Sequence, residues 1–309
     1  MFKGHRNLIT NTRPRINGGG AGFTLVELLV VISVIGMLAS TVLVNMGGIK
    51  GKAQTAKGQS FSSSMIKTMG IDCLGAWEFD EGSGTTANSA AEDFKGTLTN
   101  FNFDATSGWR SGSECVSVSC LKFDGSNDYI DIADDLGDPD AMTLELWFKK
   151  ANINQGSQYL MDARNGGNWW LLQDYVSGNC TDTEGNVCFN ARVEIKSKDL
   201  ANDRWYHVAV AQDAVSTKIY LNGELKHSST GTNPDLGVNL RIGTRYTNSG
   251  FFNGYMDSVR VYSRMITAAR IREDYFLGLK DLLNDGQIAK MEYNERVRRL
   301  NKEYVSAGY

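Results

Sequence analysis

The sequence predicts a mainly β protein: an apolar N-terminal helix that spans a membrane, then an antiparallel β-sandwich, then a short C-terminal helical tail. Three observations predict it. No charge occurs from Leu28 to Val44, and a helix rising ~1.5 Å per residue over that length covers most of a ~30 Å hydrocarbon core. Met142, Leu144, Leu146 and Phe148 alternate with Thr143, Glu145, Trp147 and Lys149, the period of two that marks a strand. Asn222-Gly223 sits between Ile219-Tyr220-Leu221 and Glu224-Leu225-Lys226, a tight-hairpin signature because both residues tolerate positive φ.

At the N-terminus, Lys3, Arg6, Arg13 and Arg15 precede the apolar run without any acid, the bias that keeps a leader on the cytoplasmic side. An export signal places its small residues after the apolar region, which is then discarded. Here Gly18, Gly19, Gly20, Ala21 and Gly22 come first, so a cut among them removes the leader and keeps the helix. Gly22-Phe23-Thr24-Leu25-Val26-Glu27 ahead of an apolar helix resembles the start of type IV prepilins and pseudopilins. That resemblance implies cleavage between Gly22 and Phe23 by a prepilin peptidase and N-methylation of Phe23. It also implies pairing of Glu27 with the N-terminal amine of a neighbouring pilin-like subunit. Four residues separate Phe23 from Glu27, which places them on one helix face. An isolated carboxylate inside a membrane costs ~2.5–3.5 kcal/mol, so it calls for a partner. The alternative is a signal anchor with a stray acid near the headgroups. Residues 1–22 are thus the leader and 23–46 the helix. Gly47-Gly48 opens a connector over 47–72, with a partial helical stripe of Phe61, Met65, Ile66 and Met69.

Short strands follow, expected at Tyr129–Ala133, Met142–Lys149, Trp205–Gln212, Lys218–Leu221, Leu240–Gly243 and Tyr255–Tyr262, with Gly, Asn and Asp between them. Both faces of the Met142–Lys149 strand carry bulk, so its sheet is covered. Trp77-Glu78-Phe79-Asp80-Glu81-Gly82-Ser83-Gly84, Leu121-Lys122-Phe123-Asp124-Gly125-Ser126-Asn127-Asp128-Tyr129-Ile130, Trp205-Tyr206-His207-Val208-Ala209, Tyr220-Leu221-Asn222-Gly223 and Phe252-Asn253-Gly254-Tyr255-Met256-Asp257 together resemble a laminin-G-like, concanavalin A-like jelly roll. The domain is placed at 73–279, closing on a short helix that Thr267 caps. Residues 280–309 form a separate helical appendage, broken at Asp285-Gly286 and expected to dock on its own domain.

With 41% hydrophobic residues in 309 and a net charge of −3, the chain holds one substantial globular domain and lacks the basic character of a nucleic-acid binder. Cysteine spacing offers two small disulfides, Cys115–Cys120 and Cys180–Cys188, in a domain held outside the cytoplasm, and leaves Cys73 over. No enzyme is expected. Glu145 and Glu194 stand without the paired-carboxylate pattern of a glycosidase and are read as solvated strand-face residues, and His207 as a packing residue. The jelly-roll resemblance implies a structural calcium held by Asp257 with the loop carrying Asn88 and Asp93; the alternative makes Asp257 a turn-fixing hydrogen-bond acceptor. Trp169 and Trp170 could stack on sugar faces, or one or both could be core. The expectation is a single-pass surface protein of a pilus or secretion filament whose head binds a glycan or protein. Its rivals are an anchored carbohydrate-active enzyme and a surface anchor that never polymerises.

Overall fold

The computed structural model describes residues 25–26, 28–30, 32–33, 72–91, 94–137, 139–153, 158–165, 168–175, 186–189, 193–195, 200–230 and 240–306, with side chains except over 164–199 and after 301. The chain divides into two units, 1–52 and 53–309. In the first, Leu25-Val26, Leu28–Val30 and Ile32-Ser33 are helical and their large apolar side chains are exposed. Among the described residues no helix is long and apolar enough to cross a membrane. Gly22, Phe23, Glu27, the rest of the expected span and the connector up to residue 71 lie outside them.

The second unit is a β-sandwich. Its strands are β1 (Cys73–Trp77), β2 (Thr86–Asn88), β3 (Lys95–Thr99), β4 (Gly108–Ser111), β5 (Ser119–Asp124), β6 (Tyr129–Ile132), β7 (Ala141–Lys150) and β8 (Gln158–Asn165). They continue as β9 (Asn168–Tyr175), β10 (Asn186–Phe189), β11 (Val193–Ile195), β12 (Trp205–Asp213), β13 (Ser216–Leu221), β14 (Glu224–Thr230), β15 (Leu240–Ile242) and β16 (Asn253–Tyr262). Helices α1 (Ala268–Asn284) and α2 (Lys290–Ser306) close the chain. One sheet has the order β14-β13-β12-β7-β16-β5-β4, with β1 also paired to β16; the other runs β11-β10-β9-β8-β15-β6-β3-β2. Every pairing is antiparallel.

Period-two alternation decides which side chains meet between the sheets. Met142, Leu144, Leu146 and Phe148 of β7 and Tyr206, Val208 and Val210 of β12 enter one core with Leu98, Ile130, Ile132, Met161, Leu240 and Ile242 of the opposing sheet. Each such side chain removed from water contributes about 1.5–3 kcal/mol. The expected hairpin forms as read: Asn222 and Gly223 both hold positive φ, 52° and 76°, and β13 pairs with β14 across them.

The opposite face of β7 is covered as well, here by the C-terminal helices. Trp147, Trp205, Tyr275, Leu279, Leu282, Ile288 and Leu300 form a second apolar cluster with Cys115 and Cys120. Helix α1 approaches so closely that a Cβ on Gly278 would lie 2.5 Å from the Trp147 ring. Thr267 caps α1, its hydroxyl accepting the Arg270 N–H at 3.2 Å. The tail docks on its own domain, as expected, but the boundary drawn at 279/280 is corrected. It cuts α1 in its interior, because Leu279 and Leu282 lie on the same buried stripe. The chain breaks instead at Asp285-Gly286, where Gly286 takes φ 72°.

Candidate functional site

On the covered face of the first sheet, register places Ala209 and Arg260 on either side of Glu145. A bulge between Asp257 and Arg260, with Ser258 at φ 51°, keeps both Asp257 and Arg260 on this face. Arg260 donates bidentately to Glu78, Nε to Oε1 at 2.7 Å and Nη2 to Oε2 at 2.9 Å. It also reaches Glu145 Oε1 at 3.4 Å, where the Tyr262 hydroxyl donates at 2.9 Å. Helix α1 brings Asp274, gripped by Arg270 at 2.8 Å and lying 3.9 Å from Arg260.

This arrangement corrects the reading of Glu145 as a solvated strand-face residue: its side chain is 0% exposed. Covering that sheet face requires buried charge to be paired, and Arg260 supplies the pairing. Burial pushes the Glu145 carboxyl up, but His207, Arg260 and Tyr262 together outweigh it and hold it near 2. Burial first, and then the Glu145 charge, push Asp274 up to about 7 against the pull of Arg260 and Arg270. His207 is packed, as expected, 5.2 Å from the Trp147 ring centroid, with its Nε2 3.5 Å from Glu145 Oε2. Tyr275 of α1 stacks on Trp147 at 5.6 Å and 18°. A carboxylate sealed beneath a helix cannot flank a scissile bond, so this cluster fastens the helices to the sheet.

Asp257 is also buried. Its Oδ2 accepts the N–H groups of Val116 and Ser117, each at 2.9 Å, and its Oδ1 lies 3.0 Å from the hydroxyls of both Ser117 and Ser258. Asp80 Oδ1 meets the same Ser117 hydroxyl at 3.1 Å. Burial, with the neighbouring Asp80, holds Asp257 well above the carboxylate range; burial and then Glu78 push Asp80 to about 6. Asn88 instead binds Glu81 Oε1 through its backbone N–H at 2.6 Å and its side-chain amide at 3.2 Å. Asp93 lies outside the described residues. Two N–H groups aimed at Asp257 Oδ2 tie the 116–117 backbone to β16. Among the described residues no three His, Cys, Asp or Glu side chains cluster as metal ligands.

The loop that binds Asp257 is the one closed by the Cys115–Cys120 disulfide, and Gln287 of the tail donates to the Cys115 carbonyl. Cys73 is a buried free thiol. Cys188 lies on β10 opposite Gln173 and Glu194; Cys180 and the side chains of Cys188, Glu194, Trp169 and Trp170 lie outside the described residues. The backbone of Trp169 and Trp170 is strand β9, opposite Arg164 and Ala163.

The outer face of the second sheet has a different character. Register aligns Thr97, Asp131, Arg241 and Asp162 in one row across β3, β6, β15 and β8. Arg241 lies 3.4 Å from Asp131 and 5.2 Å from the Tyr129 ring centroid, and donates to the Tyr246 carbonyl at 2.8 Å. The Tyr246 N–H donates to Asp162 at 2.9 Å, leaving the tyrosine 48% exposed. Guanidinium, carboxylate and aromatic groups converge here, with Asp162 buried and Thr97, Tyr129, Asp131 and Arg241 at least partly exposed. Sequence reasoning missed them. Alternation alone puts Tyr129 and Asp131 on one face, but nothing in the chain shows that Arg241, more than a hundred residues on, is their neighbour.

Comparison with known proteins matches residues 20–43 to the model of the prokaryotic N-terminal methylation motif, and residues 124–272 to that of the concanavalin A-like lectin/glucanases superfamily. Both matches fall on segments that carry the two resemblances, and the sandwich extends upstream of the second match through β1–β4 and nearly all of β5. No curated protein matches. Among solved structures, domain 4 of an extracellular arabinanase from Geobacillus stearothermophilus, in complex with arabinotriose, is 17% identical with a TM-score of 0.50, covering 65% of this chain and 97% of that one. A Trypanosoma rangeli sialidase is 15% identical with a TM-score of 0.47, over 65% of this chain and 32% of that one. The receptor binding domain of botulinum neurotoxin D is 13% identical with a TM-score of 0.47, over 67% of this chain and 53% of that one. The first of these supports the sandwich fold.

Proposed function

We propose that this chain is a type IV pilin-like surface protein whose sandwich head binds glycans. A prepilin peptidase cuts after Gly22, Phe23 becomes the methylated N-terminus, and the 23–46 helix anchors the head outside the cytoplasm among other pilin-like subunits through Glu27. The observation that carries the reading is the methylation-motif match at 20–43 on a chain whose head is a concanavalin A-like sandwich. The exposed apolar side chains of Leu25, Val26, Leu28, Leu29, Val30 and Ile32 support it, since such a surface calls for lipid or other helices. The open sheet face with Tyr129, Asp131, Arg241 and Tyr246 supplies the aromatic and hydrogen-bonding groups that a sugar needs. Binding rather than catalysis is favoured because Glu145 is sealed under α1. A head of this bulk suits a minor or tip subunit.

Mass spectrometry of the mature chain, produced beside a prepilin peptidase, tests the anchor. The expected product starts at N-methylated Phe23; an intact leader, or a cut after the apolar run, rejects the reading. Glu27→Ala is expected to abolish entry into filaments, and unchanged incorporation favours a static anchor.

A further inference from the structure

A cleft lies beside the edge strand β4. Gly82, Ser83, Gly84, Thr85, Phe103 and Trp109 line its volume of about 340 Å³, at the small end of the roughly 300–1,000 Å³ common for ligand sites. Two aromatic rings and two exposed hydroxyls form its walls, and none of the six residues is ionisable.

Both rings are held in place. The Trp109 indole N–H donates to the Gly84 carbonyl at 2.7 Å, which fixes the indole against the 82–85 loop. Phe103 is a non-glycine residue at φ 54°, a conformation that a bulky side chain adopts only when its surroundings impose it. Those surroundings are explicit. Asn102 N–H binds the Ser107 hydroxyl at 3.0 Å, Asp104 N–H binds the Ser107 carbonyl at 3.0 Å, and Asp104 accepts the Thr106 N–H at 2.7 Å. Gly108 packs against the Phe103 backbone, where a Cβ would come within 2.9 Å of its Cα. Despite this scaffolding the Phe103 ring stays 43% exposed. The loop holds an apolar ring out to solvent rather than burying it.

The neighbouring charges face elsewhere. Arg110 donates to the carbonyls of Trp109 and Asp104, and Lys122 to the carbonyl of Ala105. An acidic or basic ligand would therefore find no counter-charge lining the cleft, whereas the C–H face of an uncharged sugar ring suits Phe103 and Trp109 and its hydroxyls suit Ser83, Thr85 and the glycine backbone.

We propose that this cleft is a second carbohydrate subsite, selective for neutral mono- or disaccharide units. It rests on the reading of the head as glycan-binding but not on the open sheet face. The full chain in lipid nanodiscs, titrated calorimetrically with cellobiose, arabinotriose and 3′-sialyllactose, tests it. A neutral probe is expected to bind, Phe103→Ala to weaken that binding at least tenfold, and Phe103→Tyr to keep it, with thermal melting confirming that both variants fold. Unchanged neutral-sugar binding in Phe103→Ala, or binding of sialyllactose alone, overturns the cleft and leaves the glycan-binding head standing. Silence from all three probes and from a broad glycan array overturns both.

Discussion

The two sheets share one core but differ on their outer faces. The outer face of the first is closed by α1 and α2, and closure forces the strand to bury what it carries: Glu145, His207 and Tyr262 lose water and meet a partly buried Arg260. The second sheet leaves Tyr129, Asp131 and Arg241 only partly buried, and they stay available. Similar residue types therefore fasten helices on one sheet and reach solvent on the other, where we propose that sugars bind. The two arginines are almost equally exposed, and it is the carboxylates that differ: Glu145 is sealed, whereas Asp131 is 33% exposed.

The sharpest way to break this comparison is Arg260→Ala. Removing the guanidinium leaves Glu78 and Glu145 without their shared cation in a buried site, a loss of roughly 3–5 kcal/mol. Urea unfolding of the full chain in detergent reads it, and a loss below about 1 kcal/mol would show that the covered face does not depend on this pairing.

A smaller effect comes from pH. Asp80 near 6 and Asp274 near 7 hold protons in the folded state that the unfolded chain releases near 3.8. Their contribution is present below pH 4 and is lost as pH rises through 6 and 7. Glu145, held near 2, acts oppositely: its contribution is present above about 4.5 and is lost as pH falls toward 2. Stability is thus expected to peak near pH 4 to 5 and to decline toward 7. Asp80→Asn should remove on the order of 1–3 kcal/mol of that decline. An unaltered pH profile in this variant would place the dependence elsewhere.

The smallest effect sharpens the contrast. Asp131→Ala breaks an ion pair whose side chains are 33% and 20% exposed, worth about 0–1 kcal/mol. Denaturation should barely register it, while retention on glycan-coated surfaces should fall. A stability loss matching that of Arg260→Ala would erase the distinction between the two faces.

Local patterning made much of this fold legible. Alternation at Met142–Phe148 placed β7, Asn222-Gly223 placed a hairpin whose two φ angles are positive, and Thr267 placed the cap of α1. Cys115 and Cys120, five positions apart, paired as spacing allowed. What stayed hidden depends on register between distant strands. Glu145 looked solvated because a polar residue in an alternating strand usually faces water, and only the helices arriving some 120 residues later seal it. The row of Asp131, Arg241 and Asp162 is likewise a product of strand order, as is the meeting of Trp109 with Gly84. The boundary at 279/280 failed because α1 serves two clusters at once, and no composition change marks its middle.

The strand that receives the incoming chain has a mechanical meaning. The Ser263 N–H donates to the Asp72 carbonyl at 2.7 Å, Arg264 sits 3.2 Å from the Asp72 carboxylate, and β1 then pairs with β16 from Tyr262 back to Val259. Strand β16 is also bonded to β7 and β5. Tension applied upstream of Asp72 therefore loads β1 first, and among the described strands β1 is bonded to β16 alone. A pull along the chain would unzip β1 from its one neighbour before it strained the bonds that β16 makes to β7 and β5.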